Sequence, residues 1–405
     1  MNESMRRLGA ERSAIRELFE YGKKRVAELG ADRVFDFSLG NPSVPTPPEV
    51  TAELTRLLTE AEPTALHGYT SAQGDFLSRN AIADSLNATY HADADPSLIY
   101  LTAGAAASLT VSLNAILNAG DEVILLAPFF PEYRVFVERA GGQVRVVHPD
   151  PETFLPDFDA LQAAIGERTR ALILNSPNNP SGAILSEDGL RRLCGILDAA
   201  EKRYGHPVFL LSDEPYRELV WDGSRVPFVT HFYKNSLVLY SYSKSLSLPG
   251  ERIGYILVSS RAQDARGLYE AICGAGRALG FVCAPSLFQH LLPACAGLCA
   301  DFSVYRTNRA LLYEGLTALG FEAVRPQGAF YLFLRAPEPD AKRFAQRAKA
   351  LELLLVPSDS FGMEGYVRIS YCVPTERIRN ALPTFAELAK SYGLKLKPKP
   401  TEGKR

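Results

Sequence analysis

No stretch of this 405-residue chain is long and apolar enough to cross a bilayer, and no apolar run follows Met1 to Arg7, so neither a membrane span nor a secretory leader is expected. The expected location is the cytoplasm. Net charge is missing as well: 44 basic residues stand against 46 acidic ones, and the resulting −2 excludes a global field that would gather nucleic acid or an anionic membrane. Any anion must be met by a local site. The cysteines, at 194, 273, 283, 295, 299 and 372, form no CxxC pair, and no histidine spacing suits zinc, so no metal site is expected and the thiols read as buried and free. None of the six histidines is assigned to catalysis. Internal repeats and low-complexity linkers are also absent.

What the chain does have is a 46% hydrophobic, 22% charged composition, ordinary for a globular protein and long enough for two domains. Near-continuous apolar runs recur at Leu98–Leu101, Val123–Leu126, Val144–Val147, Ala171–Leu174, Val208–Leu211, Leu237–Tyr240 and Ile253–Val258. Strands covered on both faces look like this, and helical segments between them, such as Glu187 to Tyr204, predict an α/β fold with a mostly parallel central sheet. Beyond about residue 285 the pattern changes to a long helical stretch and then a smaller α+β region containing Tyr366–Ser370. The expected division is an N-terminal arm and small-domain segment (1–45), a large domain (46–285), a connecting helix (286–320), a small C-terminal domain (321–394) and a frayed basic tail (395–405).

Ligands of such sheets bind beyond the carboxyl ends of the strands. Five strand ends deliver Thr102-Ala103-Gly104, Pro128-Phe129-Phe130, Asn175 to Gly182, Asp213-Glu214-Pro215-Tyr216 and Ser241 to Lys244, with Arg252 eight residues further on. A lysine ending a buried strand must be neutralised by desolvation, ion-paired, or bonded through its amine to an aldehyde as a Schiff base. Asp213 alone would serve equally as a helix cap, and Arg252 or Arg368 as a surface ion pair. Small side chains at Gly104-Ala105-Ala106 before a helix let backbone N–H groups approach a dianion.

Asn175-Ser-Pro-Asn-Asn-Pro-Ser-Gly182, Asp213-Glu-Pro-Tyr216, Ser241-Tyr-Ser-Lys244 and Arg252-Ile-Gly254 together resemble the class I/II aminotransferases, fold-type I enzymes that use pyridoxal 5'-phosphate. Gly68-Tyr69 to Gly74, Pro128 to Tyr133 and Val367-Arg368-Ile369-Ser370 extend the likeness over roughly residues 35 to 385. Pro215 and Ser181 depart from the commoner Ile or Val and Thr of that pattern.

The resemblance implies a role for each residue. Lys244 would hold the cofactor as a Schiff base and, once freed by the substrate amine, carry the proton to and from the substrate α-carbon. Asp213 would pair with the pyridine nitrogen, while Tyr216 and Asn179 would donate to the cofactor's phenolic oxygen. Gly104, Ala105, Ala106, Ser241, Ser243 and Arg252 would form the phosphate cup, and Phe130 would stack on the ring. Arg368 would clamp the substrate α-carboxylate beside Gly40 and Asn179. Tyr69 would reach the phosphate of a neighbouring subunit, implying a homodimer. Arg277 is a candidate for a distal carboxylate, and Phe330 and Tyr331 for the side-chain pocket. The expected reaction is ping-pong transfer of the amino group of an L-amino acid to a 2-oxo acid. A C–S β-lyase on the same apparatus is the alternative, and a non-catalytic regulatory protein the more distant one.

Overall fold

The computed structural model describes residues 1–10 and 13–397. Its centre is a seven-stranded sheet of β2 (Ile99–Thr102), β3 (Glu122–Leu126), β4 (Gln143–Val147), β5 (Thr169–Asn175), β6 (Phe209–Asp213), β7 (Ser236–Ser241) and β8 (Gly254–Val258), in the order β2-β8-β7-β6-β5-β3-β4. Only β8 runs antiparallel to its neighbours. Side chains alternate across a strand, so Leu172, Leu210 and Val238 enter the core on one face while Ile173, Leu211 and Leu239 enter the other. Both faces are covered, which is why the runs read as continuously apolar. Truncating one of these leucines to alanine is expected to cost about 2–5 kcal/mol.

The helix Glu187–Tyr204 spans the residues expected of it, opened by Ser186, whose Oγ accepts from Gly189 N at 3.2 Å, and closed by left-handed Gly205. The long stretch after Pro285 is instead two helices, Ser286–Cys295 and Ser303–Ala318. The break is tertiary in origin: Ala300 N donates to the carbonyl of Ser245 at 2.7 Å, so the connector turns back against the rim.

A second hydrophobic body carries the antiparallel sheet of β9 (Glu322–Ala323), β10 (Tyr331–Arg335), β12 (Val356–Pro357) and β13 (Tyr366–Ser370), in the order β12-β13-β10-β9. The N-terminal β1 (Phe35–Asp36) joins this body by pairing in parallel with β11 (Leu353–Leu354). Of the expected basic tail, Lys395 to Lys397 lack regular structure and are held by Lys397 N on the carbonyl of Ala318; residues 398–405 lie outside the described residues. Among the described residues no helix is long and apolar enough to cross a membrane, and no group of acidic, histidine and cysteine side chains could hold a metal ion.

Candidate active site

The direction of β8 explains the site. Thr102 and Ser241 both lie opposite Gly254 in the sheet register, so the start of β8 meets the carboxyl ends of the other strands. Arg252, just before β8, therefore arrives on the same rim as Lys244, Asp213 and Asn175. Between this rim and the second hydrophobic body lies a cavity of about 270 Å³.

Lys244 sits in the short helix Tyr242–Ser245 that follows β7, started by Ser241 Oγ accepting from Ser243 N at 3.1 Å. Its Nζ donates to the carbonyl of Gly40 at 2.7 Å and lies 5.2 Å from the centre of the Phe330 ring. No carboxylate among the described residues ion-pairs with it. Burial pulls its pKa down to about 8; Cys372 opposes that shift, and the nearby Arg252 and Arg368 add to it. Of the three readings of a strand-end lysine, ion pairing thus drops out.

Asp213 ends β6, 5% exposed. One carboxylate oxygen accepts from Tyr133 Oη, and the other, Oδ1, is buried with no partner. Burial pushes its pKa up to about 7, against the Tyr133 hydrogen bond and with a further push from Glu214. An unsatisfied buried carboxylate oxygen costs free energy unless something donates to it. A protonated ring nitrogen at this wall of the cavity would do so.

The loop after β5 is fixed by Asn175, whose side chain donates to the Asp213 carbonyl at 2.8 Å and accepts from Asn179 N at 2.7 Å. Asn179 Oδ1 in turn accepts from Arg368 Nη1 at 3.1 Å, leaving its amide nitrogen as the group available to another partner. Tyr216 Oη lies 3.0 Å from Tyr331 Oη. Phe130 sits edge-on to Tyr133 at the cavity wall, with ring centres 5.7 Å apart.

At the other end of the cavity, Gly104 (φ 82°) caps the helix Ala105–Ile116 without a side chain. A Cβ on it would lie 2.9 Å from Arg252 Cζ, so glycine is needed both for the backbone conformation and for the close approach of the guanidinium. Arg252 donates to Ser243 Oγ at 3.4 Å and to the carbonyls of Pro249 and Ala103; Ser241 and Ser243 hydroxyls lie 2.6 Å apart. Hydroxyls, helix N–H groups and a guanidinium converge as a phosphate dianion requires.

Arg368, on β13, is 2% exposed. It donates to Asn179 and, at 2.5 Å, to the carbonyl of Ser38; its Nε has no partner, and its guanidinium lies 4.6 Å from the Tyr331 ring centre. A buried cation lacking a counter-carboxylate among the described residues is a receptor for an incoming one. With Lys244 and Arg252 against Asp213, the cavity favours anionic groups at both ends. These residues fit a flat phosphorylated pyridine aldehyde together with an amino acid.

Two expected residues are not brought in. Tyr69 is 90% exposed, and Arg277 is exposed on the last turn of the helix Ala265–Ala278; neither lines the cavity. Among the lining residues without an assigned role are Tyr133, Asn175 and Ile15, the last from the N-terminal helix Ala14–Leu29. Phe130 precedes the helix Glu132–Arg139 that carries Tyr133, so no helical spacing links the two in sequence. Also unforeseen was Arg217, ion-paired with Glu214 at 2.5 Å behind the rim and ringed by Tyr90, Phe228 and Tyr240.

Residues 32–385 match the family described as aminotransferase class I and II. The chain is 32% identical over 355 residues to the aspartate/prephenate aminotransferase of Thermus thermophilus, covering 86% of this chain and 89% of that one. Among solved structures, an aminotransferase from Eubacterium rectale superposes with a TM-score of 0.95 at 53% identity, covering 97% of this chain and 99% of that one. The aspartate aminotransferase of Thermus thermophilus with maleate superposes with a TM-score of 0.83 at 28% identity, covering 95% and 98%.

Proposed function

Given that the chain belongs to the class I and II aminotransferase family and is an amino-acid aminotransferase, we propose that Lys244 is its covalent anchor and proton carrier, and that Asp213 and Arg368 set the orientation of what binds. The observation that carries this is the pairing, in one cavity, of an amine depressed by burial with a buried carboxylate oxygen that has no partner. Enzymes of this family use pyridoxal phosphate, which when bound supplies an electrophilic carbon for amino groups and a ring that takes up electrons from the substrate α-carbon.

The chain's own groups do the rest. Asp213 would hold a proton at the ring nitrogen, and Tyr133, by donating to Asp213, favours its ionised form against burial. Asn179 and Tyr216 would donate to the ring's phenolic oxygen. Ser241, Ser243, Arg252 and the N–H groups after Gly104 would bind its phosphate. Arg368 takes the substrate α-carboxylate in a two-point fork, which places the α-hydrogen within reach of Lys244 Nζ. At a pKa of about 8, that amine can take the proton and return it near neutral pH.

The substrates we propose are an L-amino acid and a 2-oxo acid, with aspartate and the aromatic amino acids as first candidates from the named relative. A homodimer is part of the proposal: Leu58, Tyr69, Phe76, Leu77 and Val282 are large apolar side chains exposed on the single chain, which suits burial against a second copy. So is a cytoplasmic location, supported by six free cysteines.

The test is an absorbance titration of cofactor-loaded protein with single amino acids and no oxo acid. Conversion of the cofactor band by aspartate or phenylalanine, reversed by 2-oxoglutarate, is expected. Release of pyruvate and ammonia with the band unchanged would make the protein a lyase instead.

A further inference from the structure

Tyr331 belongs to none of the phosphate, ring-nitrogen or carboxylate contacts, yet its hydroxyl sits at the centre of the site. It lies 3.0 Å from Tyr216 Oη, and its ring packs under the Arg368 guanidinium with 4.6 Å between the Cζ atom and the ring centre. Gly40 makes room for it: a Cβ there would be 2.8 Å from Tyr331 Cζ. The segment carrying it is pinned. The Ala329 carbonyl accepts from Trp221 Nε1 at 3.0 Å and from Tyr371 Oη at 3.1 Å, and Tyr371 N donates to the Phe330 carbonyl at 2.9 Å. A buried hydroxyl held this firmly against another has a fixed partner and little freedom to find a different one.

From this geometry we infer that Tyr331 is a positioning residue that donates its hydroxyl proton to Tyr216 Oη, frees the Tyr216 proton for the cofactor's phenolic oxygen, and so ties that oxygen to the charge state of Arg368. The direction of donation follows from the role proposed for Tyr216: its hydroxyl has one proton, and with that proton given to the cofactor's phenolic oxygen the 3.0 Å contact is closed by Tyr331 donating. Arg368 stands against the Tyr331 ring and makes its O–H more acidic; it acts on Tyr216 in the same sense, where Asp213 opposes it. Other groups around the pair are Cys372 just beyond β13, Tyr133 and Tyr371, with Lys244 lining the same cavity. A donated hydrogen bond polarises the acceptor hydroxyl and strengthens the bond it gives onward. An incoming carboxylate that neutralises Arg368 weakens the Tyr331 donor, so occupancy of the carboxylate end is felt at the phenolic oxygen.

The inference rests on the proposed roles of Lys244 and Tyr216, and the experiment separates the two. Tyr331→Phe removes only the hydroxyl and keeps the ring under Arg368. The pH midpoint of the cofactor absorbance band is measured in wild type, Tyr331→Phe, Tyr216→Phe and the double variant. The expected result is an upward shift of roughly 0.3–1 pH unit in Tyr331→Phe, a larger one in Tyr216→Phe, and no addition in the double variant. A shift in Tyr216→Phe with none in Tyr331→Phe overturns the inference and leaves the site intact. Equal Tyr331→Phe shifts with and without the Tyr216 hydroxyl also overturn it, because the effect then travels by another route. No titrating band in any of the four proteins removes the assignment of Lys244, and the inference with it.

Discussion

Asp213 is held where burial opposes its charge, and this makes its contribution to stability the reverse of its contribution to catalysis. Its folded pKa of about 7 lies above the ordinary 3.8, so in the cofactor-free protein the native state holds the extra proton between those values. The stability this brings is fully present below about pH 4 and is lost as pH rises through 7. Asp213→Asn cannot lose it. The cofactor-free variant is therefore expected to outlast wild type in chemical denaturation above pH 7, by up to roughly 4 kcal/mol, with the gap closing toward pH 4. The same variant is expected to bind the cofactor and lose most of its turnover, since a neutral amide cannot hold a proton at the ring nitrogen. Denaturation midpoints at pH 4.5 and 8, read beside single-turnover rates, check both halves. A wild type whose stability did not fall relative to the variant across this range would contradict the burial argument.

At the scale of elements, the phosphate end depends on a turn and a reversed strand meeting without side chains between them. Gly104 gives the turn its left-handed backbone and lets Arg252 approach; Gly254 opens β8 with Gly104 Cα only 3.0 Å from where its Cβ would be. Gly104→Ala is expected to weaken cofactor binding by about tenfold or more, since it strains the backbone and displaces a guanidinium worth at least about 1.4 kcal/mol to the phosphate. Equilibrium dialysis of the cofactor reads the loss directly. The substrate α-carboxylate end, 264 positions away at Arg368, is expected to keep its affinity for a carboxylate inhibitor.

The same elements show what could be read in advance. Strands covered on both faces announce themselves as apolar runs, and Ser186 with Gly205 brackets a helix in plain sequence. Ordered motifs at the strand ends were enough to gather Lys244, Asp213, Asn179, Arg252 and Arg368 on one cavity. The break between Cys295 and Ser303 was not legible, because the force that bends it is a hydrogen bond to Ser245, fifty-five residues earlier. Tyr133 escaped for a similar reason: its partner Asp213 lies eighty positions on, and nothing local marks the pairing. The buried Glu214–Arg217 pair carries an i,i+3 spacing that surface helices also carry, so burial alone distinguishes it.

The whole molecule raises the question of what covers Tyr69. On a single chain its ring is 90% exposed beside Phe76 and Leu77, both more than half exposed, which is an unfavourable arrangement unless a second copy buries them. If Tyr69 completes the neighbouring phosphate cup, each site draws on two chains, and two crippled chains can repair one another. Lys244→Ala lacks the anchor of its own site but still carries Tyr69 for its partner. Tyr69→Ala keeps Lys244 but offers its partner nothing. Each variant alone is expected to be nearly inactive or to bind the cofactor weakly. Refolded together at equal amounts, half the dimers are mixed, and each mixed dimer has one site with both residues, so recovery approaches about a quarter of wild-type activity. Light scattering should give twice the 44.4 kDa chain mass throughout. Additive activity on mixing, with no recovery, would confine Tyr69 to its own subunit's surface and leave the cavity of a single chain as the complete site.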